Sequence, residues 1–319
     1  MTTSDTELLE RWTAEQLCQA TLAVFHDDAS DLSSVELPDP SPAIATDQET
    51  GAELHREQVE TIHFDDLRIV AGCDISFRDA AGQEGVAVLS VLSFPEMQVL
   101  TTISRVVDLS ETPYIHSYLS FREADIYASL VDELRSRGEE ELVPQVLFVD
   151  GNGRWHPRQA GSAVAVGIKT GLPTIGVAKE FHPLHTTKAH SADLPSAASS
   201  SSDSLRLPDG YLDSQKSMRR ASQAVLRKQG DWLALPAPVV SHCPHNPGEQ
   251  PRVEHWGAAL LSSPVRGALN PIFVSPGHRL SLETSVRLTL ACTRNGKVPE
   301  PIRCADLFGR QEVKRIWSA

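Results

Sequence analysis

Apolar and polar positions along the chain change period in blocks, and each block predicts an element. Leu8, Leu9, Trp12, Leu17, Leu22, Val24 and Phe25 have helical spacing over residues 7–25, whereas residues 27–53 are rich in Asp, Ser and Pro and read as a loose linker. Runs at 68–77, 86–94 and 99–109, separated by turn residues at 80–85 and 95–97, predict a meander of three strands. From Ser120 an apolar stripe through Ile126, Tyr127, Leu130, Val131 and Leu134 predicts a helix that stops at Gly138.

Residues 145–149 form a short, wholly apolar run, the pattern of a strand covered on both faces, and it ends in Asp150-Gly151-Asn152-Gly153. A helix over 158–170, with Gly161, Ala163, Ala165 and Gly167 permitting close packing, leads to a strand at 173–179. Residues 186–217 include serine at 199–202 and hold too few apolar side chains to offset their ordering entropy, so a disordered insertion is expected. Helices at 217–229 and 281–293 and strands at 256–261 and 271–274 complete the pattern, and the tail from 294 is basic enough to touch phosphates. The whole predicts an α/β fold, a central mixed sheet flanked by helices. Residues 61–310 make one large domain, 1–60 an acidic helix with its flexible linker, and 311–319 a tail.

Charge changes this picture little once its distribution is seen. The net charge of −13 argues against a polyanionic partner. However, residues 1–66 hold 16 Asp or Glu against Arg11 and Arg56, a net of −14, so residues 67–319 stand at +1. No run approaches the roughly 18 apolar residues of a membrane helix, and the acidic start lacks the basic region of a secretory signal. A monomer in the cytoplasm or nucleus, nucleolus included, with no membrane partner is expected. Five cysteines without a Cys-x-x-Cys pair read as reduced thiols. His242, Cys243 and His245, with His255 nearby, form one cluster where closed zinc sites use two knuckles, and read as a loop.

Three acids stand out by position: Asp74 in the first meander strand, Asp150 at the end of the apolar strand, and Glu123 in the first turn of the helix between them. Each has an ordinary alternative. Asp74 is also a plausible solvent-facing strand end, Asp150 a turn opener, and Glu123 the return arm of a Ser120–Glu123 capping box. Yet a meander, a helix and a parallel strand can set the first and fourth strands side by side, about 4.8 Å apart, at an edge where open α/β sheets bind ligands. Two carboxylates so close are relieved by a proton or a divalent cation, and oxygen-only ligands suit Mg²⁺, with Mn²⁺ able to substitute. Such ions activate water in phosphodiester hydrolysis. His278, after the strand at 271–274, is expected to reach the same edge and assist a metal-bound water or a phosphate oxygen, a turn histidine being the alternative.

An ordered run of motifs resembles the endonuclease V family over roughly residues 60–310: Gly72-Cys73-Asp74-Ile75-Ser76, Pro113-Tyr114-Ile115, Leu119-Ser120-Phe121-Arg122-Glu123, Val149-Asp150-Gly151-Asn152-Gly153, His156-Pro157-Arg158, Gly176-Val177-Ala178-Lys179, Gly277-His278-Arg279 and Pro299-Glu300-Pro301. The resemblance implies an RNase H-like fold, with Asp74, Glu123 and Asp150 as metal-binding acids and Lys179 as a cation beside the scissile phosphate. It implies that Pro113, Tyr114 and Ile115 form a wedge beside the modified base, that Gly151, Asn152 and Gly153 help to accept that base, and that His156 lies near the site, as a metal ligand or as an orienting group. Bacterial members carry Pro-Gly after Pro-Tyr-Ile, where this chain has His116-Ser117.

The implied reaction is hydrolysis of the second phosphodiester bond 3′ to inosine in single-stranded RNA or DNA, leaving a 5′-phosphate and a 3′-hydroxyl. The Asp-Gly-Asn-Gly form and the insertions resemble eukaryotic members, several of which favour RNA. Two alternatives stand beside it: a structure-selective nuclease of the same fold without inosine specificity, and a non-catalytic module that binds inosine-containing nucleic acid. All three acids are present, which counts against the latter.

Overall fold

A computed structural model of the protein describes residues 3–28, 41–47, 49–184, 205–238, 253–265, 267 and 269–317. Its elements are α1 (Thr3–Leu22), β1 (Ala45–Thr46), β2 (Glu53–Arg56), β3 (Ile69–Phe77), β4 (Glu84–Ser93), β5 (Val99–Asp108), α2 (Ser120–Ser136), β6 (Val146–Asp150), α3 (Ser162–Thr170), β7 (Thr174–Ala178), α4 (Gln215–Val225), β8 (Asp231–Pro236), β9 (His255–Leu260), β10 (Ile272–His278), α5 (Leu282–Ala291) and α6 (Glu300–Trp317). Among the described residues the strands form one mixed sheet in the order β1-β2-β8-β9-β10-β7-β6-β3-β4-β5. Only the β7–β6 and β6–β3 pairs are parallel, so β3, β6 and β7 share one carboxyl edge.

Period-2 alternation assigns the two faces. Ala71, Cys73, Ile75, Leu147 and Val149 pack under α2 and α3 with Tyr127, Leu130, Val131, Leu134 and Val166. Val70, Val146, Phe148, Ile175 and Val177 face the other way, toward α5 and Ile302 of α6. Val86 and Val88 of β4 are covered by Ala305 of α6. The α6 backbone comes so close to β3 that a side chain at Gly72 would strike the backbone of Pro301 and Ile302. The expected meander, its following helix and the buried strand at 146–150 are all present.

Four expectations are corrected. The supposed linker contains β1 and β2, which lengthen the sheet beyond β8, and Glu57 just after β2 forms a buried ion pair with Arg287 of α5 at 3.2 Å. The 186–217 insertion is ordered in part: Leu207 and Tyr211 are buried in the cluster beneath α4, because residues 205–214 supply the apolar anchors that its serine stretch lacks. Residues 185–204, and the histidine–cysteine cluster at 242–245, lie outside the described residues. The strand β8 is an addition to the expected pattern, although Trp232-Leu233-Ala234-Leu235 is a fully buried run. Finally, the stretch Glu300–Trp317 of the tail is a helix, and Arg303, Arg310 and Arg315 are paired with Glu300, Asp306 and Glu312.

Helix α1 docks on the domain through a stripe the apolar pattern does not reveal. Leu17 and Leu22 are exposed, while Trp12, Gln16 and Gln19, spaced by four and three residues, are buried. Trp12 stacks on Phe121 of α2 with ring centroids 4.6 Å apart.

Candidate active site

Parallel pairing of β3 with β6 places Cys73 opposite Val149, so the next residues, Asp74 and Asp150, stand side by side on neighbouring strands. Both share the parity of Val70 and Phe148, with Asp150 at the end of β6 and Asp74 three residues before the end of β3. From the opposite layer, the first turn of α2 delivers Glu123 over the same edge. The capping-box alternative fails: α2 begins after Leu119 without a side-chain cap, and the Glu123 Oε2 atom is buried with no hydrogen-bond partner.

The electrostatics show how tightly these acids are held. Burial pushes the Asp74 carboxyl up to about 8, helped by the charge of Asp150 and a hydrogen bond to it, with Lys179 opposing and Asp306 adding to the rise. Burial likewise pushes Glu123 up to about 8, reinforced by Asp150 and Asp74 and opposed by Arg122 and Ser162. Lys179, just past the end of β7, donates from Nζ to Asp150 Oδ2 at 2.5 Å. Burial alone would lower the lysine, but Asp150, Asp74 and Asp306 hold it above its ordinary value.

Asp306 on α6 is the acid that inspection of the sequence missed. It joins the electrostatics of Asp74 and Lys179, while its own carboxylate accepts from Arg310 Nε at 2.9 Å. The available signal was its place one helical stretch beyond Pro299-Glu300-Pro301, in a segment read as tail. His278 is corrected in the other direction. It pairs with Thr174 at the start of β7, five residues before Lys179 and so roughly 16 Å away along the strand. The antiparallel course of β10 carries it to the far edge, where its Nδ1 accepts from the Val24 amide at 3.3 Å.

Beside the acids lies a cavity of about 140 Å³, lined among others by Tyr114, Ile115, Ser117, Asn152, His156 and Gln16. Tyr114 is 67% exposed at its mouth, with the Arg122 guanidinium over its ring at 5.8 Å. Pro113 is exposed beside it and is not part of the lining. His156 is tied into the loop beside it: its Nε2 donates to the Ser117 carbonyl at 2.9 Å and its Nδ1 faces the Arg158 amide at 3.3 Å. Burial, then the charge of Arg158, lowers it to about 3, so the ring is neutral.

Gln16 Nε2 and Arg158 Nη2 also donate to the Ser117 carbonyl, at 3.1 and 2.7 Å. Ser117 has φ of 65°, the left-handed region that glycine enters without steric cost. The amides of Gly151 and Gly153 are not offered to a ligand: they bond Val177 O and Ser275 Oγ at 3.1 and 2.8 Å. Asn152 Oδ1, by contrast, is buried and unpartnered.

Among the described residues no three His, Cys, Asp or Glu side chains already close as a complete metal cage. The donor set nevertheless fits a hard divalent cation, which is commonly held by one or two carboxylates and keeps several waters. Adjacent Asp74 and Asp150 and the orphaned Glu123 oxygen are oxygen donors whose mutual repulsion such an ion would relieve.

A mixed sheet with carboxylates gathered at the end of its central parallel strands, covered by helices on both faces, is an RNase H-like fold. The endonuclease V family profile matches residues 52–209 and 240–307. Human endonuclease V is 34% identical over 252 residues, which cover 79% of this chain and 74% of that protein. The crystal structure of the catalytic domain of human endonuclease V superposes with a TM-score of 0.67 at 32% identity, covering 97% of each chain. A Ciona intestinalis endonuclease V, solved with a 24mer DNA containing an inosine followed by a ribo-adenosine, gives a TM-score of 0.67 at 25% identity over 97% of this chain and 99% of that one. The chain belongs to the endonuclease V family and is an endonuclease.

Proposed function

We propose that this endonuclease hydrolyses the second phosphodiester bond 3′ to an inosine in single-stranded nucleic acid, RNA in preference to DNA, with Mg²⁺ or Mn²⁺ held by Asp74, Asp150 and Glu123. The observation that carries the reading is the adjacency of an unrelieved acid cluster and a base-sized cavity: Ser162 both opposes the raised Glu123 and lines the cavity beside Asn152. The inosine-bearing DNA in the Ciona intestinalis complex supports the choice of base.

When bound, a divalent cation would supply an activated water at neutral pH and charge to offset the developing oxyanion. The chain's own residues do the rest. Lys179 stands beside Asp150 as a cation for the scissile phosphate, replacing its present carboxylate partner when the acids are otherwise neutralised. Tyr114, exposed at the cavity mouth, takes the stacking place of a displaced base, offsetting a few kcal/mol of unstacking. The buried Asn152 Oδ1 acceptor suits the N1–H donor of hypoxanthine, a donor that adenine lacks. The products are a 5′-phosphate and a 3′-hydroxyl.

The test is cleavage of matched RNA and DNA oligonucleotides, each with inosine or guanosine at one position, in Mg²⁺ or in EDTA. Cutting is expected one nucleotide beyond the bond next to inosine, faster in RNA, and absent in EDTA. Equal cutting of the guanosine strands would remove the inosine reading, and undiminished cutting in EDTA would remove the metal.

A further inference from the structure

At Lys179 begins a second opening, of about 220 Å³, that shares no lining residue with the base cavity and that the reaction as described does not use. Lys179, Arg219 and Lys297 line it above an apolar floor that includes Phe181 and Phe273. Glu180 is also in the wall, and its carboxylate accepts from Gln215 Nε2 at 3.1 Å. Lys179 has Asp150 as partner, whereas neither the Lys297 ammonium nor the Arg219 guanidinium is hydrogen-bonded or ion-paired to another described residue.

These cations are held by rigid parts of the fold. Arg219 projects from α4, whose neighbouring Met218, Ala221 and Ser222 are buried. Lys297 sits three residues before α6, and its carbonyl accepts from Ser262 Oγ. Its ammonium is half-buried and lies below its ordinary value, through burial first and then the charges of Lys179 and Arg219, with Glu180 opposing. Cations gathered in a cavity without a matching set of carboxylates call for an anion from outside.

The place of the two cavities gives that anion an identity. The base cavity touches Gly151 and Asn152, which follow Asp150, and the basic cavity touches Lys179, the partner of Asp150, so both openings border the acids. A strand with its modified base in the first and its scissile phosphate at the acids must leave across the second. We propose that Lys297 and Arg219 form a subsite for the first backbone phosphate on the 3′ side of the scissile bond. The assignment of the 3′ side rests on the reading that inosine occupies the first cavity. Nucleic acid beyond the cut therefore contributes to affinity, and a substrate ending at the cut is a poor one.

The experiment uses the full chain with Mg²⁺ and an inosine oligonucleotide carrying either a normal linkage or a neutral methylphosphonate at that one phosphate. Wild type is expected to show KM raised about tenfold by the neutral linkage, the worth of one charge-assisted hydrogen bond. A Lys297→Gln, Arg219→Gln double variant with unchanged thermal midpoint should start from the raised KM and show no further rise. The salt dependence of its binding should flatten, by about 0.7 in log–log slope for each phosphate charge that is no longer neutralised. Restoring the cation as Lys297→Arg should recover part of the discrimination, which a packing defect would not allow. The subsite is overturned if wild type ignores the neutral linkage, or if the double variant is as sensitive to it as wild type. The same pair of enzymes on a guanosine strand separates the two ideas: equal cutting there removes the inosine reading, while the coupling between linkage and variant still decides the subsite.

Discussion

At the carboxyl edge Asp74, Asp150 and Glu123 repel one another with Lys179 to offset them, whereas a short distance away His156, Arg158 and Gln16 all donate to the single carbonyl of Ser117. One region is left electrostatically incomplete and the other is largely satisfied before any ligand arrives, with the Asn152 Oδ1 acceptor left open. The difference teaches which part of the reaction is prepared in advance. The base cavity has its walls fixed, so recognition loses little to reorganisation. The acids hold a repulsion that a proton or a divalent cation relieves, so chemistry waits for the metal.

The sharpest way to break this comparison is to delete one of the repelling acids. Asp150→Ala or Asp74→Ala should reduce single-turnover cleavage by on the order of 10³-fold, as the loss of a principal electrostatic element does, while the thermal midpoint is kept or raised. A variant cutting at the normal rate would end the metal assignment.

Next in size is a pH effect on stability in EDTA. Asp74 and Glu123 stand at about 8 in the folded protein, and their unfolded values are near ~4. The folded state keeps protons that the unfolded chain releases, so this contribution is full below the unfolded values and is lost as pH rises toward 8. His156, held at about 3, works in the opposite sense, but only below its unfolded value of roughly 6.5. The window from about pH 6.5 to 8 therefore isolates the acids, and chemical denaturation there should show stability falling by a few kcal/mol, with Mg²⁺ abolishing most of the slope. A flat or rising profile in EDTA would mean that the carboxylates are not frustrated.

A smaller effect is expected in the satisfied region. Tyr114→Ala should lower inosine-over-guanosine discrimination about tenfold, the worth of one stacking interaction, without shifting the Mg²⁺ dependence. Smallest of all, His278→Ala should leave the cleavage rate within about twofold, because groups so far apart act independently. A large fall there would bring the far edge into the reaction.

Much of the catalytic half was legible in the sequence because its elements are local and strongly patterned. The apolar run that ends in Asp150 and the long strand through Asp74 could be placed from period alone, and their parallel pairing then follows from the helix between them. His278 was misplaced because strand direction is a property of the whole sheet, and the antiparallel entry of β10 is not written in its residues. Asp306 was overlooked because a solvent-facing helix with paired charges reads as a basic tail until its packing on β3 is known. Gln16 escaped for a related reason: a buried polar stripe on α1 leaves no apolar signal, and its neighbours Leu17 and Leu22 point attention to the wrong face.

The position of α6 couples the cover of one sheet face to the charge balance at the acidic edge. This helix covers Val86 and Val88 and carries the acid that acts on Asp74 and Lys179, yet it is the final described element of the chain. Loss of this one helix would at once bare the β4 face that it covers and remove a charge that bears on Asp74 and Lys179.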